Sequence, residues 1–457
     1  MTDAITIGDD SGGSEPAAAW HGPDPLLLDA RLRAVFARGE FTLLAAAATG
    51  ASTPGRTFTE LTQLRELGLV ESPFPGHYRC AALVGPCEIL DPADAEAARE
   101  RAERWYIAAA RAAAVPLLGG ILPPALTQGL PHRAEPMIVD AFAALEWSQH
   151  NRPTLLDLAR RAARDGRCEA AFDLALAVIV AAMADNATGT WIEMAELGRD
   201  AARALGDRHA EAFAIEHLGK AMRQIGELDR AEQIQTEALE IRQKIEHKPG
   251  VVYSVNALGL VHWSKRQFAA ARGQFEQALK LAEQIDEHVF AAYARQNLAG
   301  VLLDELAVPG TDPRHVETEI FQVLELLADA TAGQLRAESA HPVANCLTLS
   351  AKAIRATGRS ADAASAVQVA VRAVEACDTA AKPGIAGHDY AEAARCLAAA
   401  GHPAHADRWF TAALALFHAA GDTIRESALR QELTEARAAA AAADPPAPAA
   451  PTGKTEG

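Results

Sequence analysis

Leu218-Gly219, Leu258-Gly259 and Leu298-Ala299 stand forty residues apart, and their surroundings recur with them. Twelve residues after Gly219 and Gly259 come Ala231 and Ala271, and seven further on come Ala238 and Ala278. The turns between are Ile225-Gly226-Glu227-Leu228 and Ser264-Lys265-Arg266-Gln267-Phe268. Two looser copies follow, one with Ala351, Gly358, Ala363 and Ala370, the other with Ala394, Gly401, Ala406 and Ala413. Small residues at fixed offsets let two antiparallel helices approach closely, while Leu239, Phe275, Leu279 and Phe410 fill the gap to the next pair. One such pair cannot bury its apolar face alone, so pairs must stack. The predicted fold is all-α, a solenoid built as a superhelix of antiparallel helix pairs.

This spacing resembles the tetratricopeptide repeat (TPR) in its longer form. The resemblance covers Ala204–Ala438, with Leu298–Asp329 as a degenerate copy broken at Val308-Pro309-Gly310-Thr311-Asp312-Pro313, and an upstream pair around Trp191–Leu205 as a further candidate.

Composition agrees with a helical reading. Hydrophobic residues make up 49% of the 457 but aromatics only 5%, leaving Ala dominant among good helix formers. A net charge of −17 disfavours sequence-independent binding to nucleic acid or anionic lipid. The most apolar stretch, Leu174–Met183, is shorter than the roughly 20 residues a membrane helix needs and reads as a buried helix. Met1–Pro25 has neither the basic nor the apolar region of a signal peptide. Six scattered cysteines with no CxxC pair argue for a reduced cytosol and against structural zinc. Residues 1–25 and 439–457 are expected to be disordered, the latter because of Asp444-Pro445-Pro446-Ala447-Pro448.

Ahead of the repeats, residues 26–90 read as three helices and a hairpin. The segment Phe58-Thr59-Glu60-Leu61-Thr62-Gln63-Leu64-Arg65-Glu66-Leu67-Gly68-Leu69-Val70 places Leu61, Leu64 and Leu67 at helical spacing and ends the helix at Gly68. Phe74-Pro75-Gly76-His77-Tyr78-Arg79 then makes a Pro-Gly turn between strands. This looks like a winged helix. Residues 91–203 form a helical connector with the amphipathic stretch Ala93–Ala114, containing Arg101-Ala102-Glu103-Arg104-Trp105-Tyr106. Asp140-Ala141-Phe142-Ala143-Ala144-Leu145-Glu146-Trp147 follows, leading into Asn151-Arg152-Pro153-Thr154-Leu155.

That order of elements resembles the C-terminal half of STAND regulatory ATPases of the actinobacterial antibiotic-regulator type. The resemblance implies a sensing half. The family's nucleotide-binding domain would precede the winged helix, where this chain has only a short segment. Where the family often has a His-Asp pair after the hairpin's Tyr-Arg, this sequence has Cys80-Ala81-Ala82-Leu83. No nucleotide is therefore expected. Gly453-Lys454-Thr455 does not make a phosphate loop, since a Walker A motif needs glycine where Pro448 stands.

No catalytic residue, cofactor or metal is expected. His402 and His405 share a turn without a third ligand, Cys80 and Cys87 are too far apart for a zinc knuckle, and no serine elbow occurs. The winged-helix segment is nearly neutral, with Glu60 and Glu66 beside Arg65, so it is expected to pack internally rather than read DNA.

The expected site is the concave face of the repeats. Groove-facing offsets fall on Phe213, Glu216, Lys220 and Arg223, then on Tyr253, Asn256, Leu260 and Trp263, then on Tyr293 and Gln296. Asn256 and Gln296 can clamp a peptide backbone through donor and acceptor together, and the aromatics offer stackable area. Ordinary packing is the competing role for Trp263 and the tyrosines. A Lys-x-x-Arg pair recurs as Lys220/Arg223 and Lys352/Arg355, suited to a carboxylate. The expected function is a non-enzymatic cytosolic regulator or adaptor whose partner is a protein or peptide, without membrane contact. The alternative is a DNA-binding transcriptional regulator with a peptide-sensing TPR domain, and a cryptic enzyme is a third reading.

Overall fold

The computed structural model describes residues 24–36, 39–81, 90–118, 138, 140–308, 313–336, 340–378 and 383–443. The expected disorder at the termini, the tail Gly-Lys-Thr, Cys87 and the inner part of the 308–313 break lie outside these residues. The described residues form eighteen helices and three short strands, in two compact units divided after Ala102.

In the first unit, α1 (Pro25–Val35) leads to β1 (Glu40–Thr42), α2 (Leu43–Gly50), α3 (Pro54–Glu66), β2 (Val70–Phe74) and β3 (His77–Cys80). Thr53 caps α3, its hydroxyl accepting from the Arg56 amide, with Pro54 in the first turn. The strands pair antiparallel in the order β1-β3-β2, with Phe41 opposite Tyr78. The sheet thus has a third strand beyond the hairpin, for which a three-residue segment gives no alternation to read. Leu32, Phe41, Leu61 and Leu64 are fully buried. Leu67, expected in the same stripe, is exposed because α3 ends at Glu66 and Leu67 is its cap. Arg33 ties the unit together, donating to Asp29 (2.7 Å) and to the carbonyls of Ala81 and Leu69 (both 3.1 Å).

Helix α4 (Pro92–Leu118) supplies its later turns to the second unit. There follow α5 (Ala141–Arg164), α6 (Cys168–Ala184) and α7 (Thr188–Leu205). The apolar stretch of α6 is buried, with Ala113, Ala114 and Leu117 of α4 in the same core and an Arg111–Asp173 ion pair of 2.6 Å beside them. The pairs α8 (Arg208–Gln224) and α9 (Leu228–Lys244), and α10 (Lys248–Ser264) and α11 (Phe268–Gln284), are each built from 17-residue helices. Then come α12 (His288–Leu306) with α13 (Pro313–Arg336), α14 (Ala340–Ala356) with α15 (Ser360–Asp378), α16 (Pro383–Ala399) with α17 (Pro403–Ala419), and finally α18 (Thr423–Ala443). This is an all-α TPR solenoid. Helix α18 runs five residues past Ala438, alanine being the strongest helix former.

Backbone geometry sets the period. Gly166, Asn186, Gly206, Gly226, Glu246, Arg266 and Asp286 have positive φ and fall at every twentieth residue. Each left-handed residue lets the next amide reach back to a carbonyl of the finished helix, as when the Gln267 amide bonds to the His262 carbonyl at 2.9 Å. That bonding offsets the cost of about 1 kcal/mol that a residue with a Cβ carries in this conformation. The series begins at Gly166, one pair upstream of Ala204. Between helices, the small positions serve as sockets. A Cβ on Gly259 would lie 2.5 Å from the Phe275 ring, and one on Gly300 would lie 2.4 Å from the Trp263 ring.

Candidate ligand-binding face

From α8 to α16, each first helix of a pair packs against the first helix of the next pair, whereas the second helices make no comparable contact among the described residues. In a curved stack the more closely spaced row is the inner one, so the first helices line the concave side. The curve returns on itself: the Asn186 side-chain amide, in the turn after α6, donates to the Ala420 carbonyl, in the turn after α17, at 3.3 Å.

The inner face is knitted helix to helix. Asn297 Nδ2 on α12 donates to Asn256 Oδ1 on α10 (2.9 Å). Trp263 Nε1 donates to Asp304 Oδ2 (2.9 Å), and Lys352 Nζ reaches Oδ1 of the same carboxylate (2.7 Å). Arg355 donates to Glu392 (2.8 Å), which also takes Arg395, and Arg395 makes two bonds of 2.8 Å to Glu432 on α18. Thr348 donates to Asp389. Partners separated by 37 to 48 residues are a repeat apart, so each bond fixes one repeat against the next.

At the start of this face, Glu216 is buried between Lys220 and Arg242. Arg242 also donates to Ser254 Oγ at 2.9 Å and to the Gly250 carbonyl at 3.2 Å. Burial opposes ionisation of Glu216, but the two cations outweigh it and hold the carboxyl well below its usual range. His217, buried against Phe213 and Trp191, is pushed down to about 3, chiefly by burial and then by Lys220. Tyr253 packs edge-on to Phe290 at 4.2 Å, with Lys220 Nζ 5.9 Å from its ring centre.

Of the twelve residues singled out in the sequence, Glu216 and Gln296 are buried. The other ten (Phe213, Lys220, Arg223, Tyr253, Asn256, Leu260, Trp263, Tyr293, Lys352 and Arg355) are half-buried. The Gln296 side-chain carbonyl accepts from the Cys346 thiol at 3.3 Å, and the Asn256 carbonyl is taken by Asn297, so both amide oxygens have partners within the fold. Trp263 fills the Gly300 socket edge-on to Phe275. Lys352 and Arg355 face Asp304 and Glu392. Arg223 differs: its one bond is a long 3.5 Å contact to Ser264 Oγ, and no carboxylate meets it among the described residues. Tyr253 and Tyr293 are half-buried. That burial raises both hydroxyls, Tyr293 to about 12. The sequence reading missed Asn297, Asp304, Asp389 and Glu392. Asn297 and Asp304 stand forty-one residues after Asn256 and Trp263, one position beyond the forty-residue offset, which falls on Gln296 and Leu303, so the repeat period alone passes them by.

Among the described residues no group of three or more His, Cys, Asp or Glu could hold a metal ion, and no helix is long and apolar enough to cross a membrane.

No family model matches the chain. It is similar to the Regulatory protein AfsR of Streptomyces coelicolor, 27% identical over 270 residues, covering 56% of this chain and 27% of that protein. The chain thus spans about a quarter of that relative's length. Among solved structures it is similar to yeast Tom70 (11% identity, TM-score 0.44, 88% of this chain and 83% of that one). It is also similar to a Rap protein complexed with Competence and Sporulation Factor (12%, 0.43, 76% and 98%). A third is the STAND protein with a tetratricopeptide repeat sensor from Pyrococcus horikoshii (12%, 0.35, 93% and 68%).

Proposed function

We propose that the chain is a non-enzymatic regulator or adaptor that captures a protein or peptide on the inner face of its TPR array. The observation that carries this reading is the inner face itself. Polar bonds between successive first helices hold it in one shape, and Tyr253 and Tyr293 on those helices stay half-exposed. A face fixed before binding spends little on ordering, and half-exposed aromatics make good anchors. Similarity to a protein named as regulatory supports the same reading. Residues 26–90, with their helices and small sheet, serve here as a winged-helix-like module that packs internally, and residues 91–203 connect it to the array over 204–438.

The test is a peptide array probed with the full chain, with Tyr253→Ala and with Lys220→Gln. Selected peptides should lose about tenfold or more in affinity with each variant, while far-UV helicity shows that both variants remain folded at the assay temperature. Unchanged selection by both variants defeats the reading. ATP should give no saturable heat in calorimetry with the full chain.

A further inference from the structure

Phe321 and Leu335 are 62% and 61% exposed, and both stand on α13, the second helix of the pair whose repeat is degenerate in the sequence. The other exposed large hydrophobics of the second unit (Leu205, Ile225, Ile245, Val308 and Ile424) lie singly, each at or beside an end of a different helix. Among the described residues only α13 carries two. It is also longer than its counterparts, 24 residues against 17 in α9 and α11.

The two side chains belong to one stripe. At about 100° and 1.5 Å per residue, positions 321, 324, 328, 332 and 335 fall within roughly 80° of one another over about 21 Å of helix. Ala328 and Ala332 are exposed and Leu324 is half-buried, so the stripe is apolar along its whole length. It runs beside the buried row Ile320, Val323, Leu327 and Ala330, which faces the core. Along its other edge stand Glu325 and Asp329, both exposed, and neither meets a cation among the described residues. The exposed positions of α9 and α11 are different in kind, with Gln233, Thr236 and Glu237 on one and Glu276, Gln277 and Lys280 on the other. One exposed apolar side chain is ordinary, but a continuous stripe over four turns at this spacing is what a second helix packs against.

We propose that this outward face of α13 docks an amphipathic helix of a partner protein, one with aliphatic side chains along a stripe and lysine or arginine beside it. Charge selects that occupant. Glu325 and Asp329 offer two unpaired carboxylates at the rim, where basic side chains of the incoming helix would meet them. A second copy of this chain would fit poorly, since a two-fold axis sets the same acidic edge against itself. An anionic membrane would be repelled both by that edge and by the net charge of −17. The face lies on a second helix, whereas the first helices line the concave side, so this docking is independent of peptide capture there.

The experiment uses the full chain and a labelled peptide of three heptads, with leucine at positions a and d and lysine elsewhere, read by fluorescence anisotropy. Its leucine–glutamate counterpart is the control. The lysine peptide should bind saturably, one per chain, and the glutamate peptide should not. Phe321→Ser and Leu335→Ser leave the charge unchanged and should each weaken binding by about tenfold or more, with far-UV helicity showing that the variants are folded. Glu325→Gln should weaken it by about threefold, whereas Glu276→Gln, the same charge change on α11, should not. Parent-like binding by both serine variants, or an equal loss with Glu276→Gln, means that net charge alone holds the peptide and overturns the site. Tyr253→Ala should bind as the parent does; a loss there puts the peptide on the inner face and overturns the site while leaving peptide capture standing. In sedimentation without peptide the chain should be a monomer, and a dimer dissolved by Phe321→Ser would assign the face to a second copy and overturn the partner helix.

Discussion

One carboxylate, that of Asp304 on α12, holds the indole of Trp263 on α10 at 2.9 Å and the ammonium of Lys352 on α14 at 2.7 Å. Three successive first helices are thereby fixed at a single point on the inner face. Substituting Asp304→Ala removes both bonds and leaves Lys352, about one-third exposed, without its partner. With screening at that exposure, the expected loss is about 1–2 kcal/mol of stability by denaturant unfolding. The Trp263 emission should shift as its N–H loses its acceptor.

Gly300 and Gly273 test the socket argument in opposite directions. A Cβ at Gly300 would meet the Trp263 ring at 2.4 Å, whereas one at Gly273, exposed on α11, meets nothing within 4 Å. Gly300→Ala should cost about 1–3 kcal/mol by overpacking. Gly273→Ala should add about 0.5–1 kcal/mol, the helix-propensity gain over glycine. Thermal unfolding of the two single variants should move to either side of the parent.

His217 makes stability depend on pH. The folded chain keeps its imidazole neutral down to about 3, against a starting value of 6.5. Between those values the unfolded chain binds the extra proton, so stability is fully present above 6.5 and falls as pH drops through the window. Glu216, depressed by Lys220 and Arg242, adds a loss of its own as pH falls below its ordinary value of 4.5. The range from 4.5 to 6.5 therefore reports the histidines. His217→Phe should flatten the slope there by up to about 1.4 kcal/mol per pH unit, measured by urea unfolding at stepped pH.

Arg33 is the corresponding point in the first unit. Its guanidinium, 10% exposed, joins Asp29 to the carbonyls of Leu69 and Ala81. Arg33→Met keeps the stem but takes the donor from a buried carboxylate and from the Ala81 carbonyl, while the Leu69 carbonyl keeps the Ala81 amide, at a cost of about 2–4 kcal/mol. Hydrogen exchange should quicken around β2 and β3 first, with α8–α11 unchanged.

Much of the array was legible because its signals are local. Small residues at 219, 259, 231 and 271 recur wherever helix must touch helix, and the twenty-residue spacing of left-handed turns follows from helix length alone. The first unit was less so: β1 spans three residues and gains its meaning only from pairing with β3. In the candidate face, the sequence marked the right helices and the half-buried stripe, but not the partners. Trp263 gave no sign that Asp304 would hold its N–H, and Gln296 gave none that it would be buried against Cys346.

The forty-residue periodicity by itself determined that helices form in antiparallel pairs and that the pairs must stack, because a pair left alone exposes an apolar face to water. Which charges cancel across neighbouring pairs, and that Asn186 meets Ala420, were settled only by the tertiary structure. Those outcomes depend on the rotation between successive pairs, a small angle accumulated over many contacts. No single position in the chain encodes that angle.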